Sequence, residues 1–178
     1  ATLGFQRGDK LAIVGSNRPR LYWGICAAQC LGGIPVPVYQ DSVADEMQYV
    51  LEHAEVKFVL AEDQEQVDKM LEIQDRCPNM QHIIYDDPRG MRSYQHDHLH
   101  DFVDIQNLGR EFAQANPDYL NQAIAQGQGS DISIFLYTSG TTGKPKGVVM
   151  TYDNIIITAR NSAEFDKLTS TEEVLSYL

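Results

Sequence analysis

Five short β-prone runs, spaced by helix-length segments, narrow the fold more than any other feature of this chain. They are Leu11-Ala12-Ile13-Val14-Gly15, Ile34-Pro35-Val36-Pro37-Val38-Tyr39, Lys57-Phe58-Val59-Leu60-Ala61, His82-Ile83-Ile84-Tyr85 and Ile132-Ser133-Ile134-Phe135-Leu136-Tyr137. Apolar runs of this kind suit strands buried on both faces. Residues 21–31 read as a helix stopped by Gly32-Gly33. Ser42 and Asp45 resemble a capping box, after which Val43, Met47, Val50, Leu51 and Ala54 share one helical face. Asp63 reads as the cap of a further helix with an inner stripe of Val67, Met70 and Leu71. Strands alternating with helices predict an α/β fold, a mainly parallel sheet with helices on both faces. Pro35 and Pro37 lack ladder donors, so their run fits a sheet edge or a strand start better than a sheet centre. Residues 86–103 read as a polar loop, followed by helices over 104–115 and 117–126 and a flexible connector at 127–130.

Composition excludes several classes of function. The 178 residues carry a net charge of −11, which disfavours a nucleic-acid partner. No apolar run approaches the roughly 20 residues needed to cross a bilayer, so an integral membrane protein is not expected. Residues 1–9 lack the pattern of a secretion signal, and the absence of an initiator Met suggests a trimmed chain. Acids dominate from Asp41 to Asp75, where the only Lys or Arg residues are Lys57 and Lys69. Residues 131–167 balance their charges and are the better setting for an anionic ligand. Cys26, Cys30 and Cys77 form no CxxC pair, which suits a reducing, cytoplasmic setting, and Cys26 and Cys30 are expected to face the core. His96, His98 and His100 alternate and would share one face of an extended chain, a pattern open to a metal. With no ordered element predicted there, a solvated loop is the preferred reading.

The chemistry is concentrated after the fifth run. Thr138-Ser139-Gly140-Thr141-Thr142-Gly143-Lys144-Pro145-Lys146-Gly147 leads into a second β-rich run, Val148-Val149-Met150. Glycines let backbone N–H groups converge on an oxyanion, hydroxyls donate to phosphate oxygens or ligate Mg²⁺, and lysines neutralise phosphate charge. Four hydroxyls among three glycines exceed what a bare turn needs. The segment is not a Walker A loop: Gly140 and Gly143 are two residues apart, and Pro145 follows Lys144.

From Tyr137 to Gly147 the chain resembles the AMP-binding signature of the adenylate-forming superfamily, with Phe135 and Lys146 at the signature's ends. The resemblance extends to Gly8-Asp9-Lys10-Leu11-Ala12-Ile13, Gly32-Gly33-Ile34-Pro35-Val36-Pro37 and Ser130-Asp131. Within the superfamily, the segments Val36–Tyr39, Tyr49–Ala54 and Glu62–Lys69 are most similar to bacterial long-chain fatty-acid–CoA ligases. One departure is Tyr152, where many members carry His.

The resemblance implies that a carboxylate, a long-chain fatty acid by subfamily, is joined to the α-phosphate of ATP and then transferred to CoA. Thr138, Ser139, Gly140, Thr141, Thr142, Gly143, Lys144 and Lys146 would bind the nucleotide. Thr141 and Thr142 would supply hydroxyls to Mg²⁺, and Lys146 would be catalytic. The partners implied are ATP, fatty acid and CoA, with peripheral membrane contact through the lipid substrate. By the same resemblance, residues 1–178 are expected to be the N-terminal part of an AMP-binding domain, with the adenine, ribose, acyl-chain and CoA residues beyond Leu178 and a strand near 174–178. The alternatives are a nucleotide-binding module without catalysis, an adenylating enzyme for another carboxylic acid, and an interaction domain using the 41–75 acids.

Overall fold

The computed structural model describes residues 1–138 and 145–173. Five strands, β1 (Lys10–Val14), β2 (Ile34–Val38), β3 (Phe58–Ala61), β4 (His82–Tyr85) and β5 (Leu99–Asp101), form one parallel sheet in the order β2-β1-β3-β4-β5. The connections carry helices α1 (Pro19–Cys30), α2 (Ala44–His53) and α3 (Gln64–Ile73), and α4 (Phe102–Ala115) and α5 (Tyr119–Ala125) follow β5.

Strand alternation builds two cores from one sheet. Ala12, Val14, Val36, Val59 and Ala61 face Met47, Val50 and Leu51 of α2 and Val67, Met70 and Ile73 of α3. Leu11, Ile13, Phe58 and Leu60 face the other way, against Leu21 and Ala28 of α1, Phe5 and Phe102. The expected helix layers on both faces are therefore present. The strand order reverses between β1 and β3, where doubly wound sheets often open a ligand crevice. Here the chain fills that position itself. The Glu62 carboxylate accepts from the Ser16 N–H at 2.5 Å, the Ser16 hydroxyl at 2.7 Å and Arg18 Nε at 2.7 Å. Burial pushes this carboxyl upward, but the Ser16 and Arg18 bonds outweigh it and hold the group below its usual range.

The fifth predicted run departs from expectation. β6 (Ile132–Thr138) is not a strand of the parallel sheet; it pairs antiparallel with β7 (Lys146–Thr151) in a separate hairpin, and α6 (Tyr152–Phe165) follows. Two physical reasons account for this. Only residues 139–145 join the two strands, too few for a parallel crossover. Moreover, the Ile34 N–H points to Asp9 O on the β1 side, so alternation turns the nitrogens of Pro35 and Pro37 to the outer edge. That edge has no donor at either position, and the expectation of an edge strand is met.

Smaller corrections follow the same logic. The N-cap of α2 is Val43, without a side-chain cap: the helix begins one residue later than expected, which leaves Ser42 one position before the cap, and Asp45 pairs with Arg76 at 2.6 Å. Val43 is exposed because it precedes the helix. Cys26 is exposed and Cys30 half-buried, since α1 buries the face of Leu21, Gly24 and Ala28. Residues 86–103 are not a loop throughout, for Leu99–Asp101 pairs with β4 and Asp101 caps α4 by accepting from the Val103 N–H at 2.7 Å. Asp63 caps α3 as expected. The strand expected near 174–178 lies outside the described residues.

Truncating Leu51, 1% exposed, to Ala is expected to cost about 2–5 kcal/mol in urea unfolding. Leu120→Ala, at a position 49% exposed, is expected to cost less than about 0.5 kcal/mol. Similar costs at the two sites would contradict the placement of the core.

Candidate functional site

The hairpin that carries the glycine-hydroxyl segment cannot ladder onto β2, and its position is set by side chains. At its base, Arg7 Nη1 donates to Asp131 at 2.9 Å and Arg7 Nη2 to Ala123 O at 3.2 Å. Gly32, at φ +74°, leaves room for that guanidinium: a Cβ there would lie 2.7 Å from Arg7 Cζ. Further along, Gln29 Nε2 donates to the carbonyl of buried Ser133 at 3.1 Å and to its hydroxyl at 3.0 Å. At the tip end, His53 Nδ1 and the Tyr137 hydroxyl lie 2.7 Å apart, and the Tyr49 ring stacks on His53. The odd-numbered residues of β6 thus face the first sheet, with Phe135 and Tyr137 packed against its core.

Pairing across the hairpin brings two predicted site residues together. Thr138 is directly opposite Lys146, and Tyr137 is opposite Gly147. Directly opposed residues share a face, so Thr138 and Lys146 share the face away from Tyr137. Both are exposed, and among the described residues Lys146 forms no ion pair. A hydroxyl and an ammonium at the two ends of the glycine-hydroxyl segment can bind an anion held between them. Ser139, Gly140, Thr141, Thr142, Gly143 and Lys144 lie outside the described residues.

A cavity of about 1080 Å³ opens beside this point, lined by Tyr39, Asp45, Glu46, Tyr49, Glu52, Tyr137, Thr138 and Pro145 among others. Its three carboxylates, of which Asp45 is paired with Arg76, make its interior a poor place for phosphate. Burial, then the neighbouring Tyr49, raises the Tyr137 phenol, so its hydroxyl stays protonated. Tyr152, the departure from the signature's surroundings, begins α6 at the far end of the hairpin, with its hydroxyl 3.5 Å from Gln29 O. Burial raises its phenol too.

The alternating histidines do not converge. His100 Nε2 meets His82 Nδ1 at 3.0 Å, while His96 and His98 pair with each other, ring centres 5.4 Å apart. Among the described residues, no group of three or more His, Cys, Asp or Glu side chains is arranged to hold a metal. Several of the 41–75 acids are engaged internally, Asp45 with Arg76, Glu55 with Lys10 and Glu65 with Lys69, besides Glu62.

His53 and Gln29 are the contributors the sequence reading missed. His53 follows Tyr49 by four residues, which puts both on one face of α2. Ser133 was the only polar residue inside an apolar β run, a signal that it faced a polar partner.

Comparison with known proteins follows the same line. The family described as AMP-binding enzyme matches residues 1–178. The chain is 33% identical over 178 residues to the long-chain-fatty-acid–CoA ligase ACSBG2 of Homo sapiens, covering 99% of this chain and 26% of that protein. It is 30% identical over 182 residues to the ACSBG2 ligase of Xenopus laevis, covering 99% and 24%. This chain therefore spans about a quarter of the length of these relatives. Among solved structures, the anthranilate CoA ligase AuaEII in complex with anthranoyl-AMP superposes with a TM-score of 0.67 at 20% identity, over 89% of this chain and 28% of that one. The inhibitor-bound N-terminal domain of FACL13 from Mycobacterium tuberculosis gives 0.63 at 22%, over 92% and 36%. Both show the same fold.

Burial, then neighbouring imidazoles, holds His82 and His100 below the ordinary value of 6.5, and burial followed by His96 does so for His98. A lowered folded value means that the unfolded chain binds protons first. Stability is thus fully present above pH 6.5 and is lost as pH falls through the lowered folded values. Urea midpoints measured between about pH 7.5 and 5 are expected to drop in this window, and to drop less in the double variant His82→Phe, His100→Leu. An unchanged slope in that variant would remove the pair as the cause.

Proposed function

Because the chain belongs to the AMP-binding enzyme family, we propose that it holds the phosphates of ATP in an enzyme that activates a long-chain fatty acid as acyl-adenylate and passes it to CoA. The observation that carries this reading is the opposition of Thr138 and Lys146 at the two roots of the glycine-hydroxyl segment. The fatty-acid substrate is supported by relatives that are long-chain-fatty-acid–CoA ligases.

In this reading the carboxylate oxygen attacks the α-phosphorus and pyrophosphate leaves, taking the electron pair of the broken P–O bond. The CoA thiol then attacks the acyl carbon and AMP departs. Charge grows on the leaving pyrophosphate, so fixed donors there lower the barrier. Thr138, Ser139, Gly140, Thr141, Thr142 and Gly143 supply N–H and hydroxyl donors, and Lys146 supplies the main positive charge with Lys144 assisting. Mg²⁺ enters with ATP as part of the substrate, and the hydroxyls of Thr141 and Thr142 would ligate it. The interior of the acid-lined cavity beside Tyr137 is a poor place for the phosphates.

We place the enzyme in the cytoplasm. It meets membranes peripherally through its lipid substrate; none of the described helices is long and apolar enough to cross a bilayer. We also assign residues 1–178 to the N-terminal part of the adenylating domain, supported by coverage of about a quarter of the relatives' length. A second reading has one observation in its favour: the anthranilate ligase shares the fold, so a different carboxylic acid is compatible with the scaffold.

In a full-length polypeptide carrying this chain, Lys146→Ala is expected to slow single-turnover acyl-adenylate formation by on the order of 100-fold, and Lys144→Ala by less than about 10-fold. Equal losses would mean that the two lysines share the role. Residues 1–178 alone are expected to bind MgATP without exchanging pyrophosphate into it. Misplacing reacting atoms by about 1 Å already costs on the order of 100-fold. Robust exchange by this piece would overturn the division of labour.

A further inference from the structure

We propose that His53 is a positioning residue for the phosphate-binding segment, acting through its contact with the Tyr137 hydroxyl. The inference rests on the reading of residues 138–147 as that segment.

Geometry carries the argument. Because the outer edge of β2 lacks donors at Pro35 and Pro37, β6 is held by side-chain tethers and by the packing of Phe135 and Tyr137 rather than by a ladder. The Arg7–Asp131 and Gln29–Ser133 tethers fix the base of the hairpin, far from the chemistry. Thr138 lies five residues beyond Ser133, roughly 16 Å along an extended strand. A swing of about 4° over that length moves Thr138 by about 1 Å, a displacement that matters for a reacting group. The His53–Tyr137 contact, at 2.7 Å, is the tether next to Thr138 in the chain and stops that swing.

The imidazole is itself held. The Tyr49 ring stacks on it with centroids 5.5 Å apart and 25° between planes, and the Tyr137 ring meets it edge-on at 87°. On the other side of Tyr137, Gly147 brings the opposing strand close: a Cβ there would lie 3.4 Å from Tyr137 Cζ. His53 therefore sets Tyr137, and Tyr137 sets both roots of the segment, since Thr138 follows it in the chain and Gly147 follows Lys146. His53 touches no substrate in this scheme.

The test is titration of inorganic pyrophosphate into residues 1–178, followed by calorimetry, with urea midpoints recorded in parallel. His53→Ala and Tyr137→Phe are each expected to weaken binding about fivefold, the worth of one net hydrogen bond. The double variant is expected to lose no more than either single one, because the two side chains act as one unit. His53→Asn keeps a donor or acceptor near the position of Nδ1 and is expected to restore affinity to within about twofold of the parent chain. Urea midpoints are expected to fall only slightly, as removal of one hydrogen bond and its ring contacts requires, with every variant fully folded without urea. Variants that bind like the parent, losses that add, or failure of His53→Asn to restore affinity would each overturn the proposal. If the parent chain itself does not bind pyrophosphate, the reading of residues 138–147 fails, and this inference falls with it.

Discussion

Pro35 and Pro37 leave the outer edge of β2 without N–H donors at both positions that face away from β1, and the arrangement of the molecule turns on that lack. A parallel sheet grows by offering each new strand a row of donors and acceptors. Here it ends at β2, and β6 must be held another way. Side chains take over: Arg7 reaches Asp131, Gln29 reaches Ser133 and His53 reaches Tyr137. The hairpin bearing the glycine-hydroxyl segment is thus stapled to a rigid sheet along one face, while the opposite face, with Thr138 and Lys146, stays exposed.

The sheet is a suitable anchor because its central strands are buried from both sides. Every residue of β3 is buried, as are Leu11 to Val14 of β1, and the two faces feed separate cores under α2–α3 and under α1. Interiors packed this closely transmit small displacements instead of absorbing them. The natural crevice of such a sheet, between β1 and β3, is closed by Glu62 with Ser16 and Arg18. At the hairpin, a locally neutral stretch of an otherwise acidic chain meets the edge of an acid-lined cavity, which is where the proposed phosphate site lies.

What was legible in the sequence was local. The runs at β1, β3 and β4 are unbroken apolar stretches, and the faces of α2 and α3 repeat at helical spacing, so element type and burial could be read together. The Asp63 cap was legible for the same reason: its chemistry involves only its own turn. The Ser42 cap failed because the helix begins one residue further on, at a boundary that the local pattern does not fix. Cys26 and Cys30 failed because an apolar helix offers several faces, and only neighbours choose one. The three-residue β5 was invisible: an edge strand that short is specified by the strand it joins.

The same division runs through the site. Residue order alone determined that glycines, hydroxyls and lysines are concentrated in Thr138–Gly147, because their proximity is covalent. It also determined that β2 is no central strand with donors on both sides, because a missing N–H is a property of proline itself. Only the tertiary structure decided that β6 turns back on β7, that Thr138 faces Lys146, and that His53, more than 80 positions earlier, meets Tyr137. Those contacts depend on which surfaces remain unsatisfied after the sheet has formed, a quantity that no single segment of the chain contains.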